Sequence, residues 1–432
     1  MTKPFNIESV HINRLSDIEL TQLLSELLQA EAYKFGLAQS AVEVALNIRV
    51  GDGGEDGRIS WSDGPVCTDY IPNRLTMFQN KATEMSAADY ANEIITKATK
   101  KSPSVIKPKV DEVLSRGGAY IIFTTQELNT QQKNDRVSAV RDKLREYNKV
   151  YADSSQILIY ESAQISRWVN NFVSTIVSVQ HWNGTPLERG LKTFSLWEKH
   201  EELSRIPFVS VNSRSYILDS LSEKIKEVKS CFRITGLSGL GKTRTAFQIF
   251  NGNESLKSLV VYADANQLPN IDALVADWVS LGLKCIIVVD NCDYRLHERL
   301  GREVRRQDSH ISLLTLDYNF ETVSNLSVCF RLEPMTNEEL MMLLTPIYQD
   351  QLSDLDRIVA FAQGFPQMAV LLAQARLSED PKIGELTEDD LANKLLGRLG
   401  EKGSDSLKII QACSLFDVFG IENEAEELKW SN

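Results

Sequence analysis

The chain has no run of apolar residues approaching the roughly 18 that a membrane-crossing helix needs. Its opening stretch, MTKPFNIESVHINRL, lacks the apolar centre of a secretion signal, so a cytoplasmic protein with no membrane partner is expected. The six cysteines, Cys67, Cys231, Cys285, Cys292, Cys329 and Cys413, nowhere form a CxxC pair. That argues against a zinc site and a disulfide framework and for reduced thiols. Histidine is scarce at five, and no Ser/His/Asp or Cys/His grouping stands out among them. Basic charge is outweighed, 47 Lys and Arg against 59 Asp and Glu, a formal net charge of −12. A globally basic nucleic-acid surface is thereby excluded, though a local basic patch is not. With 22 glycines and 12 prolines in 432 residues, a collagenous or low-complexity chain is excluded too. At roughly 100–200 residues per domain, the length implies more than one core.

What is present is a multidomain α/β pattern with no internal repeat of about 20–50 residues. Ser16 and Glu19 have capping-box spacing, and Leu20, Leu23, Leu24, Leu27 and Ala30 recur behind them at helical spacing. An apolar stretch at 42–50 enters GDGGEDG and leaves through RISW, which reads as strand, glycine turn, strand. Strands are also expected at 75–79, 119–125 (AYIIFTT) and 156–160 (QILIY), with helices near 131–147 and 163–173. This first domain is placed at 1–190, and the turn-rich, polar residues 191–215 read as a linker. From Cys231 the strands CFRIT, LVVYA, CIIVVD, ISLLTL and VCFRL alternate with helices, predicting a mostly parallel sheet within 216–332. Residues 333–385 read as a helical group opened by a Thr336/Glu339 capping box, and 386–432 are again helix-rich. Without a closing signal at its end, the chain reads as the front part of a longer protein.

The strongest local signal is Gly236-Leu-Ser-Gly-Leu-Gly-Lys242-Thr243, which fits GxxxxGK[ST] between an apolar strand and a helix pattern. Gly236, Ser238, Gly239, Leu240 and Gly241 would turn backbone N–H groups around phosphates, and Lys242 would reach the β and γ oxygens. Thr243 would ligate Mg²⁺, with Arg244 beside it at the helix start. About fifty residues on, CIIVVD ends a buried strand in Asp290, the acid for the Mg²⁺ water shell. Asp293 is the candidate for orienting or deprotonating water, with an ordinary surface carboxylate as the alternative.

Gly364-Phe365-Pro366 precedes an apolar helix. In this order the motifs resemble those of STAND-class NTPases, the family that includes NACHT and NB-ARC proteins. The resemblance covers roughly 205–432. It implies ATP/ADP with Mg²⁺, Pro366 packed on the nucleotide base, and a winged-helix domain beginning at 386–432. The strand ISLLTLDYNF lacks the arginine frequent at that place in the family.

In the first domain, Asp52, Glu55 and Asp56 lie in the glycine-rich turn and Gln79-Asn80-Lys81 ends a strand. Carboxylates that hold Mg²⁺ and a lysine that positions water are what metal-dependent phosphodiester cleavage requires. The arrangement resembles the PD-(D/E)xK nucleases in their Mrr-like branch. By position, Asp56 would be the metal ligand, Gln79 would occupy the second acid slot, Lys81 would be the catalytic lysine, and the Asn80 carbonyl would reach the metal. Glu31 is the candidate for the first-helix glutamate of that branch, because it continues the buried Leu20–Leu24–Leu27 line while Glu19 and Glu26 lie on the polar face. Lys97, Lys100, Lys101, Lys107 and Lys109 fall in a stretch free of acids, which suits backbone phosphates or a solvated loop alike.

Together the parts resemble a bacterial antiphage STAND protein of the Avs type. That implies a nuclease effector acting on double-stranded DNA, an ATP-dependent switch to a homo-oligomer such as a tetramer, and a phage protein sensed by a region beyond residue 432. Two other readings stay open: a modification-dependent restriction enzyme with a DNA-translocating NTPase, and a DNA-binding scaffold without cleavage. Gln79, which carries no charge, keeps the second alive.

Overall fold

The computed structural model describes residues 5–46, 55–98, 103–184, 190–200, 208–318, 325–349 and 355–377. Asp52, Lys100, Lys101 and the region 386–432 expected to begin a winged helix lie outside them. The chain forms two compact units, Met1–Ser238 with Lys242–Glu333, and Gly239–Gly241 with the residues from Pro334 on.

The first unit holds two sheets. One has five strands in chain order: β1 (Val42–Val44), β2 (Gly57–Ser60), β3 (Leu75–Lys81), β4 (Ala119–Thr124) and β5 (Gln156–Tyr160). The first three are antiparallel, and β3, β4 and β5 run parallel. The helix Asp17–Lys34 starts at Ser16 through the expected capping box and buries Leu20, Leu23, Leu24, Leu27 and Leu28. It presses close on β2, where a Cβ at Gly57 would lie 2.9 Å from Leu24 Cδ2. On the other face, Met77, Tyr120 and Ile122 pack with Tyr90, Ile94, Val110, Val113 and Leu144. The helix expected at 163–173 is two, Ser162–Val169 and Val173–Trp182. Asn171 closes the end of the first, its Nδ2 donating to Arg167 O and Trp168 O, while Asn170 Nδ2 donates to Ile7 O of the distant amino-terminal segment.

The second sheet has the order β11-β7-β10-β9-β8-β6, with β6 (Leu191–Thr193), β7 (Cys231–Thr235), β8 (Val260–Asp264), β9 (Lys284–Asp290), β10 (His310–Asp317) and β11 (Val328–Arg331). All neighbours are parallel except β6, which pairs antiparallel with β8. The stretch read as a linker, 191–215, therefore holds the sheet's edge strand and the helix Phe194–His200. Its Trp197 is fully buried, stacked 4.6 Å from Tyr262. Three apolar anchors among polar neighbours are too short a pattern to read as a strand and a helix.

The two sheets belong to one compact unit, and specific bonds join them. The Lys284 amide at the start of β9 donates to Asn171 O at 3.0 Å, and the Tyr33 hydroxyl donates to Lys226 O at 2.7 Å. Among the described residues of the second unit the helices are Asn337–Tyr348, Leu355–Ala362 and Pro366–Leu377, the first capped by Thr336 and Glu339 as expected. Gly364 has φ +86°, and a Cβ there would meet Pro334 Cβ at 2.6 Å and Met335 O at 2.7 Å. Only glycine fits that crossing, where the Met335 amide donates to Gly364 O. Among the described residues no helix is long and apolar enough to cross a membrane.

Candidate nucleotide and metal sites

The glycine loop leaves the carboxyl end of β7, between β11 and β10, at the sheet edge where open parallel sheets present ligand sites. Gly239 and Gly241 take φ of +82° and +85°, values that β-carbons resist, and the helix Lys242–Phe250 follows at once. Half-buried Lys242 folds back over the loop, its Nζ donating to Gly236 O at 2.8 Å and Leu237 O at 3.0 Å. Burial lowers its pKa, while Asp290 and Asp317 oppose that shift. The cation thus stands among the loop's own carbonyls, with two carboxylates nearby.

Asp290 ends β9 one strand removed from the loop strand β7, with β10 between. Its Oδ2 accepts from Thr243 Oγ1 at 2.6 Å and from the Tyr262 hydroxyl at 3.2 Å, and its Oδ1 accepts from the Asn291 amide. Two oxygen ligands of the kind Mg²⁺ prefers, one from the loop and one from the strand end, are therefore already together. Tyr262, one strand away on β8, is a contributor that no motif flagged. Asp293 caps the helix Tyr294–Val304, its Oδ1 accepting from the Leu296 amide at 2.8 Å. Arg244 lies over the Phe208 and Phe247 rings, and Leu240 is buried. Within the second unit, Gly239 O accepts from the Gln367 amide, and a Cβ at Gly241 would lie 3.8 Å from Pro366 Cγ.

Behind these groups is a buried polar cluster. Arg233 on β7 pairs with Asp317 at the end of β10, both out of contact with water. His297 bridges Thr315 Oγ1 at 2.8 Å and Ser327 Oγ at 2.9 Å. Burial, and after it the Arg233 charge, push the His297 pKa from 6.5 down to about 4. Unfolded chains hold that proton below about 6.5 and the folded protein only below about 4, so the stability tied to neutral His297 is complete above pH 6.5 and lost as pH falls towards 4. Glu26, lifted to about 7 by burial near Ser178, works in the opposite sense and loses its contribution as pH rises through 7. Comparing His297→Gln with the parent in urea melts at pH 7 and pH 4.5 isolates the histidine. The parent is expected to lose about 2–3 kcal/mol more than the variant between these pH values; equal losses would remove His297 as the cause.

In the first sheet, the antiparallel register pairs Gly57 with Phe78 and so sets Asp56 across from Gln79. Asp56 Oδ2 accepts from the Asn80 amide at 2.6 Å. Gln79 and Lys81 share one face of β3 with Met77, while Asn80 turns to the other, where its Nδ2 donates to Thr21 of the helix Asp17–Lys34. On the Gln79 face stands Glu93, last residue of the helix Ala87–Glu93. Its carboxylate accepts from Gln79 Nε2 at 2.6 Å and pairs with Lys81 Nζ at 3.0 Å and Lys107 Nζ at 3.5 Å. The Tyr120 hydroxyl donates to Gln79 Oε1. Burial first, then facing Glu93 and Asp56, hold that phenol well above its ordinary pKa.

Glu31 is buried, as its helix line indicates, but in other company. It accepts from Thr68 Oγ1 at 2.7 Å, the Tyr70 amide at 3.3 Å and Trp168 Nε1 at 3.3 Å, and burial raises its pKa. The structure therefore groups Asp56, Gln79 and Lys81 with Glu93 and places Glu31 with the aromatic residues behind the sheet. Glu26, on the expected polar face, is instead partly covered. Of the lysine-rich stretch, Lys107 and Lys109 are ion-paired, with Glu93 and Glu55. Among the described residues no three His, Cys, Asp or Glu side chains gather into a metal cage. Asp56 is the carboxylate there that could hold Mg²⁺, a cation that takes one or two carboxylates and completes its shell with water and phosphate.

No family model and no curated protein matches the chain. Solved structures similar to part of it include PCH-2 of C. elegans, 13% identical, covering 43% of this chain and 66% of that one, at a TM-score of 0.30. A second is the Aeropyrum pernix ORC1 protein in complex with DNA, 15% identical over 54% and 84% of the two chains, TM-score 0.34. A third is a Pyrococcus horikoshii signal transduction ATPase with numerous domains (STAND) and a tetratricopeptide repeat sensor, 16% identical over 49% and 36%, TM-score 0.30.

Proposed function

We propose that this chain binds ATP and Mg²⁺ at the 236–244 loop and uses the bound nucleotide to control a Mg²⁺-dependent DNA nuclease carried by residues 1–190. The observation that carries the nucleotide half is the 2.6 Å contact between Thr243 and Asp290, which brings loop hydroxyl and strand-end carboxylate together as a nucleotide-bound magnesium requires. Magnesium held there would neutralise the β and γ oxygens. The chain's own part is to wrap the phosphates in loop amides, offer the Lys242 charge and hold Asp290 in place through Tyr262. On the first sheet, Asp56 would bind the metal and Lys81 would position the attacking water.

The switch would operate through the 333–385 helices, where Pro366 packs at the loop tip. By the motif resemblance, the biological setting is cytoplasmic antiphage defence, with a phage protein as trigger and a homo-oligomer as the active form. Pro366→Ala removes about two packed methylenes and is expected to speed ADP exchange roughly three- to tenfold. Stopped-flow release of a fluorescent ADP measures it. An unchanged rate would favour a translocating NTPase over a switch, as would turnover stimulated by DNA alone.

A further inference from the structure

We propose that Glu93 is the second carboxylate of the nuclease site, standing in for the charge that Gln79 cannot supply. The inference rests on the nuclease reading above. A strand bearing an acid two residues before its lysine places both on one face. Here that face carries Gln79 and Lys81, and a neutral amide fills the acid's place.

The missing charge comes from a neighbouring element. Glu93 Oε2 is 2.6 Å from Gln79 Nε2, and Glu93 Oε1 is 3.0 Å from Lys81 Nζ. The Gln79 amide thus acts as an extension that holds a carboxylate at its tip, while Tyr120 fixes the amide from its other end by donating to Oε1. With its oxygen taken by a phenol and its nitrogen by a carboxylate, the amide has one orientation. Lys107 Nζ, 3.5 Å from Glu93 Oε2, adds a second positive charge beside the carboxylate. The helix Ala87–Glu93 is fixed by a Ser86/Asp89 capping box and by buried Tyr90, three residues before Glu93 on the same side. Glu93 is aimed at the strand by the same packing that forms the core.

Because Gln79 and Glu93 touch, carboxylate and amide can be exchanged without changing the atoms present. The test compares Glu93→Gln, the exchange variant Gln79→Glu/Glu93→Gln, and Asp56→Ala in the full chain. The readouts are Mn²⁺ binding by calorimetry without nucleotide or DNA, and plasmid cleavage under activating conditions. Subtracting the Asp56→Ala titration isolates this site from the phosphate-loop site. Glu93→Gln is expected to weaken Mn²⁺ binding at least about tenfold and cleavage about a hundredfold. The exchange variant is expected to recover both to within about tenfold of the parent, a rescue that a merely structural role for Glu93 would not give. If Asp56→Ala loses both readouts while Glu93→Gln keeps them, the nuclease reading stands and the role of Glu93 is overturned. If Glu93→Gln fails and the exchange variant stays inactive despite unchanged melting and ATP binding, the role is likewise overturned. Parent protein that neither binds Mn²⁺ at this site nor cleaves removes both.

Discussion

Lys242→Ala is expected to weaken ATP binding roughly ten- to 150-fold, the ~1.5–3 kcal/mol of a hydrogen bond to a charged group. The ammonium now satisfies two loop carbonyls, Gly236 O and Leu237 O, at 2.8 and 3.0 Å. Leu237 is exposed, so water can replace the lysine at its carbonyl, while buried Gly236 loses a partner, a cost the melting temperature reads. The substitution removes the Lys242 cation from beside Asp290 and Asp317. Calorimetric titration with ATP and Mg²⁺ checks the loss, with the melting temperature as control for folding. Undiminished affinity in a folded variant would remove the phosphate-loop assignment, and DNA cleavage is expected to fall with affinity.

Asp56→Ala is expected to reduce DNA cleavage by about 10²–10³-fold or more, the scale of deleting one preorganised electrostatic contact at a reacting phosphate. ATP affinity is expected to stay within about twofold, because distant sites with no shared partner are close to additive. The alanine also strands the Asn80 amide, which donates to Asp56 Oδ2 at 2.6 Å, at a cost of about 1–3 kcal/mol. Asp56→Asn keeps an acceptor oxygen there and separates the two effects: it is expected to melt near the parent and still cleave poorly. Cleavage that persists in both variants would place the chemistry elsewhere.

The strands of the second sheet were legible because buried parallel strands are continuous apolar runs, as in CFRIT and CIIVVD. The caps at Ser16 and Thr336 were legible because a capping box is local chemistry at fixed spacing. The phosphate loop belongs to the same class, a backbone need written into glycines. What escaped depends on packing between distant segments. Glu93 lies fourteen residues from Gln79, and before folding nothing separates it from Glu84 or Asp89 except that it shares a helix side with Tyr90. Glu31 was correctly placed on a buried face, yet its partners Thr68, Tyr70 and Trp168 lie up to 137 residues away. Lys107 and Lys109 form an acid-free stretch in sequence, but the fold brings Glu93 and Glu55 to them. Periodicity reports which face a residue occupies and leaves open what stands opposite.

Nucleotide control of a metal-dependent nuclease is tested most directly by titrating ATP into a plasmid-cleavage reaction. The reaction contains the full chain, Mg²⁺ and lysate from phage-infected cells, with Lys242→Ala and Asp56→Ala alongside. Cleavage by the parent is expected to rise with ATP and saturate, while both variants stay near the no-enzyme baseline. Cleavage that ignores ATP, or that matches the parent in Lys242→Ala, would contradict nucleotide control; a parent that binds ATP and leaves the plasmid intact would contradict the nuclease.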